Sequence, residues 1–452
     1  MKVDTLLTGG MIVTAQDRFV GALGIRDGRV ACLLDSAAGV DAQQVIDVSG
    51  KYIIPGAIDA HVHFQDPGSP EREDLEHGTR ACAVGGITTA ISQPVNNPPV
   101  FDVATYRETL AGYEGRSYVD YGLHGGASSG NLDQIELLWT ETGAPALKMM
   151  MCYSPKSYGM VDDGQLYRIM QILQKHDGLA YIHAENQAIV ETLEKQLRAE
   201  GRTDPLSYLA SRPSWVETEA VRRALILAEQ TGCRVILAHV SCADSLEMIG
   251  EARGRGVSVF AESCPHFFTF IDEDIVEHGP YLKFSPVMRD EPNLRRLWEL
   301  LAGGAVQTIG SDHCPYAPEE KTPGLTNIWD APNGVPGLEV LLPVLLDGVS
   351  RGQLSMERLV EVTSLNPAKI YGLYPRKGHL SPGADADLVV VDPSLVKTLD
   401  LQDLQTKCPY SPYLGKTFRG WPIMTMVRGV SVAEGGAITG AAGHGRYVSR
   451  TN

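Results

Sequence analysis

No apolar run in this sequence of 452 residues reaches the roughly 20 residues needed to span a bilayer. The N-terminus also lacks the basic segment followed by an apolar segment that is typical of a secretory signal. The formal net charge is −16, and no basic stripe is present that could neutralise a nucleic-acid backbone or an anionic membrane. We therefore expect a cytoplasmic protein that binds neither nucleic acid nor membrane.

The cysteines form no C-x-x-C pair, although the sequence contains eight of them. Such pairs are typical of cysteine zinc sites, and regular cysteine spacing is typical of the disulfide frameworks of small secreted domains. We therefore expect reduced, mostly buried thiols. Internal repeats and low-complexity segments are also missing. The hydrophobic content of 43% is ordinary for a globular protein, and the length favours one large domain with a smaller one.

Both ends of the sequence have the pattern of short β-strands joined by turns. In residues 1–52, the Asp27-Gly28 dipeptide between β-type residues predicts a hairpin turn. The residues after about 375 return to the same pattern. We predict that residues 1–52 and 376–452 together form one small β-sandwich domain. The Gly- and Ser-containing tail from Ala441 to Asn452 is expected to pack on a neighbouring subunit or to fray.

Between these ends, short apolar runs alternate with longer amphipathic segments. This alternation is typical of parallel βαβ units with right-handed crossovers. Eight such runs predict a TIM-type (β/α)8 barrel over residues 53–375, and a doubly wound sheet is the alternative. The predicted strands are Ile53–Asp59, Ile87–Ser92, Tyr118–His124, Ala144–Met150, Gly178–His183, Arg234–His239, Val257–Glu262 and Val306–Ser311.

A histidine pair with one residue between them, His61 and His63, follows the first predicted barrel strand. Residues two apart in a strand point to the same face, so both imidazoles can aim at one point. Neutral imidazole suits zinc and similar cations. Alone, the pair is more often two histidines on a half-exposed strand, so a metal site needs further ligands. Asp59 faces the same way and is predicted to support the ligands from behind.

The other predicted strand ends supply more candidate ligands. In a barrel, the chemistry lies at the C-terminal ends of the strands. The fourth predicted strand carries Lys148, the fifth ends in His183, the sixth in His239, and the eighth runs into Asp312. Each of these residues alone has an ordinary explanation, such as a core histidine or a helix-capping aspartate. Their convergence on one rim predicts a metal site.

Lys148 lies in the apolar run Leu147–Met151, where burial penalises its charged form and lowers its pKa. A neutral amine can react with carbon dioxide to give a carbamate, which is an anion suited to bridging two divalent cations. The alternative is a buried pair of Lys148 with a carboxylate. We predict a site for two divalent ions, with zinc as the expected metal. The predicted ligands are His61, His63 and Asp312 for the first ion, His183 and His239 for the second, and carbamylated Lys148 as the bridge.

The predicted chemistry is hydrolysis at a carbonyl or phosphoryl centre. Two ions about 3.5–4 Å apart hold a bridging hydroxide that is nucleophilic near neutral pH. Asp312, close to that hydroxide, can take its proton and pass it to a leaving group.

These residues resemble the cyclic amidohydrolases of the amidohydrolase superfamily, which comprise hydantoinases, dihydropyrimidinases, allantoinases and dihydroorotases. The similarity covers nearly the whole chain, and all six expected ligand positions are filled. The resemblance implies a metal-dependent homotetramer that hydrolyses a small cyclic amide or imide of the hydantoin or dihydropyrimidine type. Its markers are the segments Pro55–His63, Gly85–Thr89, His183–Asn186, Ser311–Pro315, Asn366–Lys369, Gly372–Gly378 and Gly383–Val389.

Three further residues match the hydantoinase branch, namely Tyr153, Ser285 and Asn333. In that branch the tyrosine hydroxyl holds the developing oxyanion, and the serine and asparagine hold the amide edge of the ring mainly through their backbone groups. Fixed donors of this kind are a large catalytic contribution. Tyr, Ser and Asn are also ordinary loop residues. Two other segments, Phe64–Gly68 and Gln93–Pro99, look more like allantoinases and dihydroorotases.

Allantoinase is the main alternative, because allantoin is itself a substituted hydantoin. Dihydroorotases carry an arginine where Gln65 stands, and that arginine binds the substrate carboxylate, so an orotate-pathway role is not expected. Dihydropyrimidinase-like assembly proteins keep the fold but lose ligands, which conflicts with the complete ligand set. A mononuclear deaminase of the same superfamily would not need Lys148.

Overall fold

The N-terminal part of the chain is a group of strands with both antiparallel and parallel pairing. The computed structural model describes residues 1–152 and 158–451. The strands are β1 (Lys2–Val13), β2 (Arg18–Arg26), β3 (Arg29–Leu34), β4 (Asp41–Asp47) and β5 (Tyr52–Pro55). The turn between β2 and β3 is Asp27-Gly28, with φ of 53° and 73°, which confirms the predicted hairpin turn.

The middle of the chain alternates parallel strands with helices. The strands are β6 (Ala57–Val62), β7 (Ile87–Ser92), β8 (Asp120–Leu123), β9 (Gly125–Gly126), β10 (Leu147–Met150), β11 (Leu179–His183), β12 (Arg234–Leu237), β13 (Val259–Ser263) and β14 (Thr308–Ile309). The α-helices are α1 (Leu75–Val84), α2 (Val103–Tyr113), α3 (Ile135–Glu141), α4 (Asp163–Gln174), α5 (Gln187–Ala199), α6 (Pro205–Ala210), α7 (Ser214–Thr231), α8 (Ala243–Gly254), α9 (Ile275–His278), α10 (Glu291–Ala302), α11 (Pro318–Lys321), α12 (Leu341–Ser350), α13 (Met356–Val360) and α14 (Asn366–Ile370).

Every predicted barrel strand overlaps an observed strand, but the predicted strand Ile53–Asp59 is wrong in its extent. Gly56 divides it into β5, which pairs with β1, and β6, which pairs with β7. A Cβ on Gly56 would lie only 2.1 Å from Thr88 Oγ1, so the chain crosses between the two sheets at a point that tolerates no side chain.

The barrel closes where its last strand meets its first. Parallel pairing runs from β6 through β8 and from β9 through β14. A parallel bridge joins Val62 to His313, and the backbone N–H of His63 donates to His313 O at 2.8 Å. The end of β14 therefore lies beside the end of β6, which brings Asp312 next to His61 and His63.

The C-terminal strands complete the sheet begun at the N-terminus. They are β15 (Leu388–Thr398), β16 (Thr417–Val427), β17 (Val430–Glu434) and β18 (Ala437–Ile438). Strand β15 pairs antiparallel with β5, so the sheet order in the described residues is β18-β17-β16-β15-β5-β1-β2-β3, with β4 on β1. The architecture is the predicted (β/α)8 barrel beside a β domain built from both termini. The exact domain boundaries, 1–52 with 376–452 and 53–375, stay a prediction.

Buried charges join the barrel to the terminal β domain. The Lys377 ammonium lies 2.5 Å from Asp120 of β8, 2.6 Å from Asp387 and 3.0 Å from Asp385. Arg428 also pairs with Asp120. Because removing one member of a buried ion pair leaves an uncompensated charge, this cluster links the two parts strongly. Two cations, Lys377 and Arg428, pair with its three carboxylates.

The C-terminal tail packs on the barrel of its own chain. The Arg450 guanidinium lies 3.8 Å from the centre of the Trp139 ring and donates to Ala144 O at 2.6 Å. The backbone N–H of Val448 donates to Tyr121 O at 2.8 Å. The tail is therefore packed on its own chain and not frayed, because it makes tertiary contacts that its Gly- and Ser-containing sequence does not indicate. Packing on a neighbouring subunit stays a prediction.

Two further properties of the described residues bear on the sequence predictions. The cysteines are all free thiols and, apart from the half-buried Cys314, all buried. This confirms the expectation of unpaired thiols. In the described ranges, no helix combines the length and the apolar character that a bilayer-spanning segment needs.

Candidate metal centre

A cavity of about 670 Å³ opens at the C-terminal ends of the barrel strands. It is the place where a barrel positions its chemistry. Tyr153 lies outside the described residues. The other predicted site residues all line this cavity, namely His61, His63, Lys148, His183, His239, Ser285, Asp312 and Asn333.

The predicted ligands of the first ion converge on one point. Asp312 Oδ1 lies 3.2 Å from His61 Nε2 and 3.4 Å from His63 Nε2. The candidate ligand atoms of these three residues all lie within 4.8 Å of one another. Burial lowers the pKa of His61 well below its usual value, which keeps its imidazole neutral. Two imidazole nitrogens and a carboxylate in this arrangement fit a zinc-like cation.

The predicted ligands of the second ion are adjacent. The rings of His183 and His239 have centroids 4.5 Å apart, and burial lowers the pKa of His239 well below its usual value. His183 differs. Burial lowers its pKa, but hydrogen bonds with Cys152 and Glu185 outweigh burial and raise the pKa to about 9. A cation bound through His183 would therefore compete with a proton, so its affinity depends on pH.

Lys148 lies between the two groups of histidines. Its Nζ is 3.3 Å from His61 Nε2 and 4.2 Å from the centre of the Tyr181 ring. Burial lowers its pKa to about 8, against the attraction of nearby carboxylates. In the described part of the chain, no carboxylate forms an ion pair with Lys148, so the alternative of a buried lysine–carboxylate pair finds no partner. A readily deprotonated amine in this position fits the predicted carbamate.

Two buried carboxylates support the predicted ligands from behind. Glu262, which the sequence analysis did not single out, has its Oε1 2.5 Å from His61 Nδ1. It also accepts a hydrogen bond from the Tyr181 hydroxyl at 2.7 Å. Asp59 accepts from the backbone N–H of His61 at 3.0 Å and of Ser311 at 3.1 Å. A carboxylate on one imidazole nitrogen fixes the tautomer and directs the other nitrogen toward a metal.

The backbone is strained at two of the predicted ligands. His239 has φ of 37° and Asp312 has φ of 49°, in the left-handed region that non-glycine residues rarely adopt. Such conformations persist where the surroundings over-determine them, and they cluster at functional sites. The backbone is also closely packed beside these ligands, since a Cβ on Gly310 would lie 2.7 Å from the Cβ of His61.

Glu262→Gln is expected to lower metal affinity by about 10- to 100-fold without unfolding the protein. The neutral amide fits the same space but no longer provides the anionic acceptor for His61 Nδ1. Competition with a chromogenic chelator measures the affinity. Glu339→Gln is the matched control, because Glu339 is buried and accepts backbone N–H groups of Gln405 and Thr406 instead of a ring nitrogen of a predicted ligand. Equal affinities for the two variants would contradict the supporting role of Glu262.

The Gln65 side chain is already engaged in two hydrogen bonds. Its amide nitrogen donates to Pro315 O at 2.5 Å, and its amide oxygen accepts from Arg72 at 3.0 Å. Arg72 in turn pairs with both carboxylate oxygens of Glu320. This position therefore presents a neutral amide whose donor and acceptor groups are both engaged.

Ser285 and Asn333 lie on two neighbouring loops at the cavity wall. The Asn333 amide nitrogen donates to Ser285 Oγ at 3.4 Å. The backbone N–H of Gly334 donates to Lys283 O at 2.9 Å. This hydrogen bond connects the two loops. The structure thus brings together the two residues predicted to hold a ring.

Comparisons with known proteins identify the family. Residues 52–432 match the model of the amidohydrolase family. The chain is 40% identical to an L-hydantoinase of Paenarthrobacter aurescens over 95% of this chain and 94% of that protein. It is 37% identical to an allantoinase of Rubrobacter xylanophilus over 97% and 96%, respectively.

Solved structures give the same result. The structure of an L-hydantoinase (dihydropyrimidinase) from Arthrobacter aurescens superposes with a TM-score of 0.97 at 38% identity, covering 99% of this chain and 100% of that one. A dihydropyrimidinase from Brevibacillus agri gives a TM-score of 0.93 at 31% identity, covering 99% and 98%. These likenesses confirm the predicted fold class. The chain belongs to the amidohydrolase family and, within it, to the cyclic amidohydrolase branch.

Proposed function

We propose that this enzyme hydrolyses the ring of a hydantoin-type cyclic amide. The observation that carries the proposal is the convergence of His61, His63 and Asp312 with Lys148, a buried lysine without an ion-pair partner in the described residues. The relatives named L-hydantoinase and allantoinase support a five-membered ring. Allantoin is the second candidate substrate, because a 37% identical relative bears the name allantoinase.

The site suits two divalent cations, and we propose zinc for both. His61, His63 and Asp312 would hold the first, His183 and His239 the second, and a carbamate on Lys148 would bridge them. When bound, such a pair supplies a nucleophile at neutral pH and polarises the attacked carbonyl.

Asp312 is proposed to move the proton. Burial would raise its pKa, but His61 and His63 outweigh burial and lower the pKa well below the usual range. Its carboxylate therefore stays ionised at neutral pH, where it can take a proton from the attacking water and pass it to the ring nitrogen that leaves. Ser285 and Asn333 would hold the amide edge of the ring, and the Tyr153 hydroxyl would stabilise the developing oxyanion.

A cytoplasmic homotetramer is proposed on the family resemblance. Two half-exposed apolar side chains on α7, Trp215 and Ile226, support a subunit contact. They are eleven residues apart and so lie on nearly the same face of the helix. Light scattering on the purified chain measures the oligomeric state.

A substrate panel tests the proposed function. The metal-loaded enzyme is offered hydantoin, 5-substituted hydantoins, dihydrouracil, allantoin and dihydroorotate, and ring opening is followed by the carbamoyl product. We expect hydantoins or allantoin to be opened and dihydroorotate to remain intact. A protein without bound divalent metal and without activity would instead be a non-catalytic relative. One metal ion per chain with ammonia release would indicate a deaminase.

A further inference from the structure

Two buried lysines lie against the loops that carry Ser285 and Asn333, and the proposed chemistry uses neither. Lys283 is 4% exposed and Lys321 is fully buried at 0%. In the described ranges, neither ammonium has a carboxylate at ion-pair distance. Because a buried charge without a counter-ion is costly, each must be satisfied by other acceptors or serve a purpose beyond packing.

Lys283 connects the Ser285 loop to the chain that leads into Asn333. Its Nζ donates to Ile328 O at 2.8 Å and to Ala331 O at 2.5 Å. Tyr208 also contacts the Ser285 loop, because its hydroxyl donates to Phe284 O at 3.0 Å. The Lys283 side chain thus bonds two carbonyls of a loop that its own backbone does not belong to.

Lys321, at the end of α11, bonds both loops at once. Its Nζ donates to Lys283 O at 3.2 Å and to Pro332 O at 2.9 Å. Lys283 O is also the acceptor of the Gly334 backbone N–H. The residues immediately before and after Asn333 are therefore both tied to the Ser285 loop, one through the Lys321 ammonium and one through the backbone.

We propose that Lys283 and Lys321 are positioning residues that hold Ser285 and Asn333 in register to bind the amide edge of the substrate ring. This inference rests on the proposed function. Hydrogen bonds from an ammonium are stronger than those between neutral groups, and they fix carbonyl positions in two loops that have little regular structure. Misplacing a binding group by about 1 Å can weaken a reaction by about 100-fold, so such a connection has a direct effect on substrate binding.

The costs of burial favour a positioning role over a purely stabilising one. Burial lowers the pKa of Lys283 to about 7 and of Lys321 to about 7. A buried ammonium without a counter-ion carries a desolvation cost that an apolar side chain of similar volume does not. A methionine would avoid that cost, but it would leave the loop carbonyls without their shared donors.

The test is Lys321→Met in the metal-loaded enzyme with hydantoin as substrate. We expect KM to rise by about tenfold, which corresponds to the loss of one or two ammonium hydrogen bonds. We expect kcat to change by less than about twofold and metal content to equal that of the parent, since the reacting groups are untouched, and we expect the variant to stay folded. Lys283→Met should show the same split between KM and kcat. Lys175→Met, on the exposed end of α4, is the matched control and should change neither constant.

Each outcome decides the proposal. An unchanged KM in both folded variants overturns it, and so does loss of folding in both, because the lysines would then act on overall stability. Equal losses of kcat and metal would assign them to the metal centre instead. If the parent enzyme opens no ring in the panel, the proposed function is wrong. If the parent opens a ring and both variants have the same KM as the parent, only the positioning role is wrong.

Discussion

Replacing Lys148 with alanine is expected to remove metal binding and ring hydrolysis together. Lys148 is placed to supply a bridge between the two predicted ligand groups, because its Nζ lies 3.3 Å from His61 Nε2 and it lines the same cavity as His183 and His239. We expect kcat/KM to fall by at least about 10³-fold, which corresponds to about 4 kcal/mol of transition-state stabilisation. Metal analysis should show a drop from two ions per chain to one or none.

A carboxylate supplied from solution tests the reason for that loss. If the bridge is an anion, acetate or propionate should restore part of the metal content and activity of Lys148→Ala, because the deleted side chain leaves room for it. Lys175→Ala is the matched control for removing an exposed lysine. A Lys148→Ala protein that keeps two ions and full activity would contradict the bridging role.

The barrel was predictable because its strands and helices carry strong local patterns. Most of the buried parallel strands are short apolar runs, and each predicted range overlaps an observed strand. The error at Ile53–Asp59 arose because the break at Gly56 depends on its contact with Thr88, which is distant in sequence. The tail is a similar case, since Arg450 is fixed by the Trp139 ring and by carbonyls more than 300 residues earlier.

The predicted ligands were visible because they stand at strand ends, and the comparisons confirm the family and the cyclic amide-hydrolysing class. The supporting residues were harder to predict. Glu262 carried a usable signal, because a carboxylate in the apolar strand Val259–Ser263 is as unusual as a lysine in the run that holds Lys148. Lys283 and Lys321 carried none, since their partners are backbone carbonyls whose positions only the fold determines.

Asp312→Asn is expected to stop catalysis while leaving most of the metal in place. The amide keeps an oxygen donor in the same position but cannot accept a proton from the attacking water. Loss of a general acid–base group typically lowers kcat by about 10²- to 10⁴-fold, and we expect the upper part of that range because Asp312 is proposed to serve both proton transfers. Steady-state kinetics with hydantoin, together with metal analysis of the same samples, measure both effects.

The pH dependence of the variant follows from the ionisation of the parent carboxylate. The parent carboxylate is ionised throughout the neutral range, because its pKa is lowered. The loss of kcat in Asp312→Asn should therefore be uniform across that range rather than confined to one limb of the profile. Asp290→Asn is the matched control, since Asp290 caps α10 through the Asn293 backbone N–H and asparagine caps equally well. An Asp312→Asn enzyme that retains both ions and a parental kcat would show that another group moves the proton.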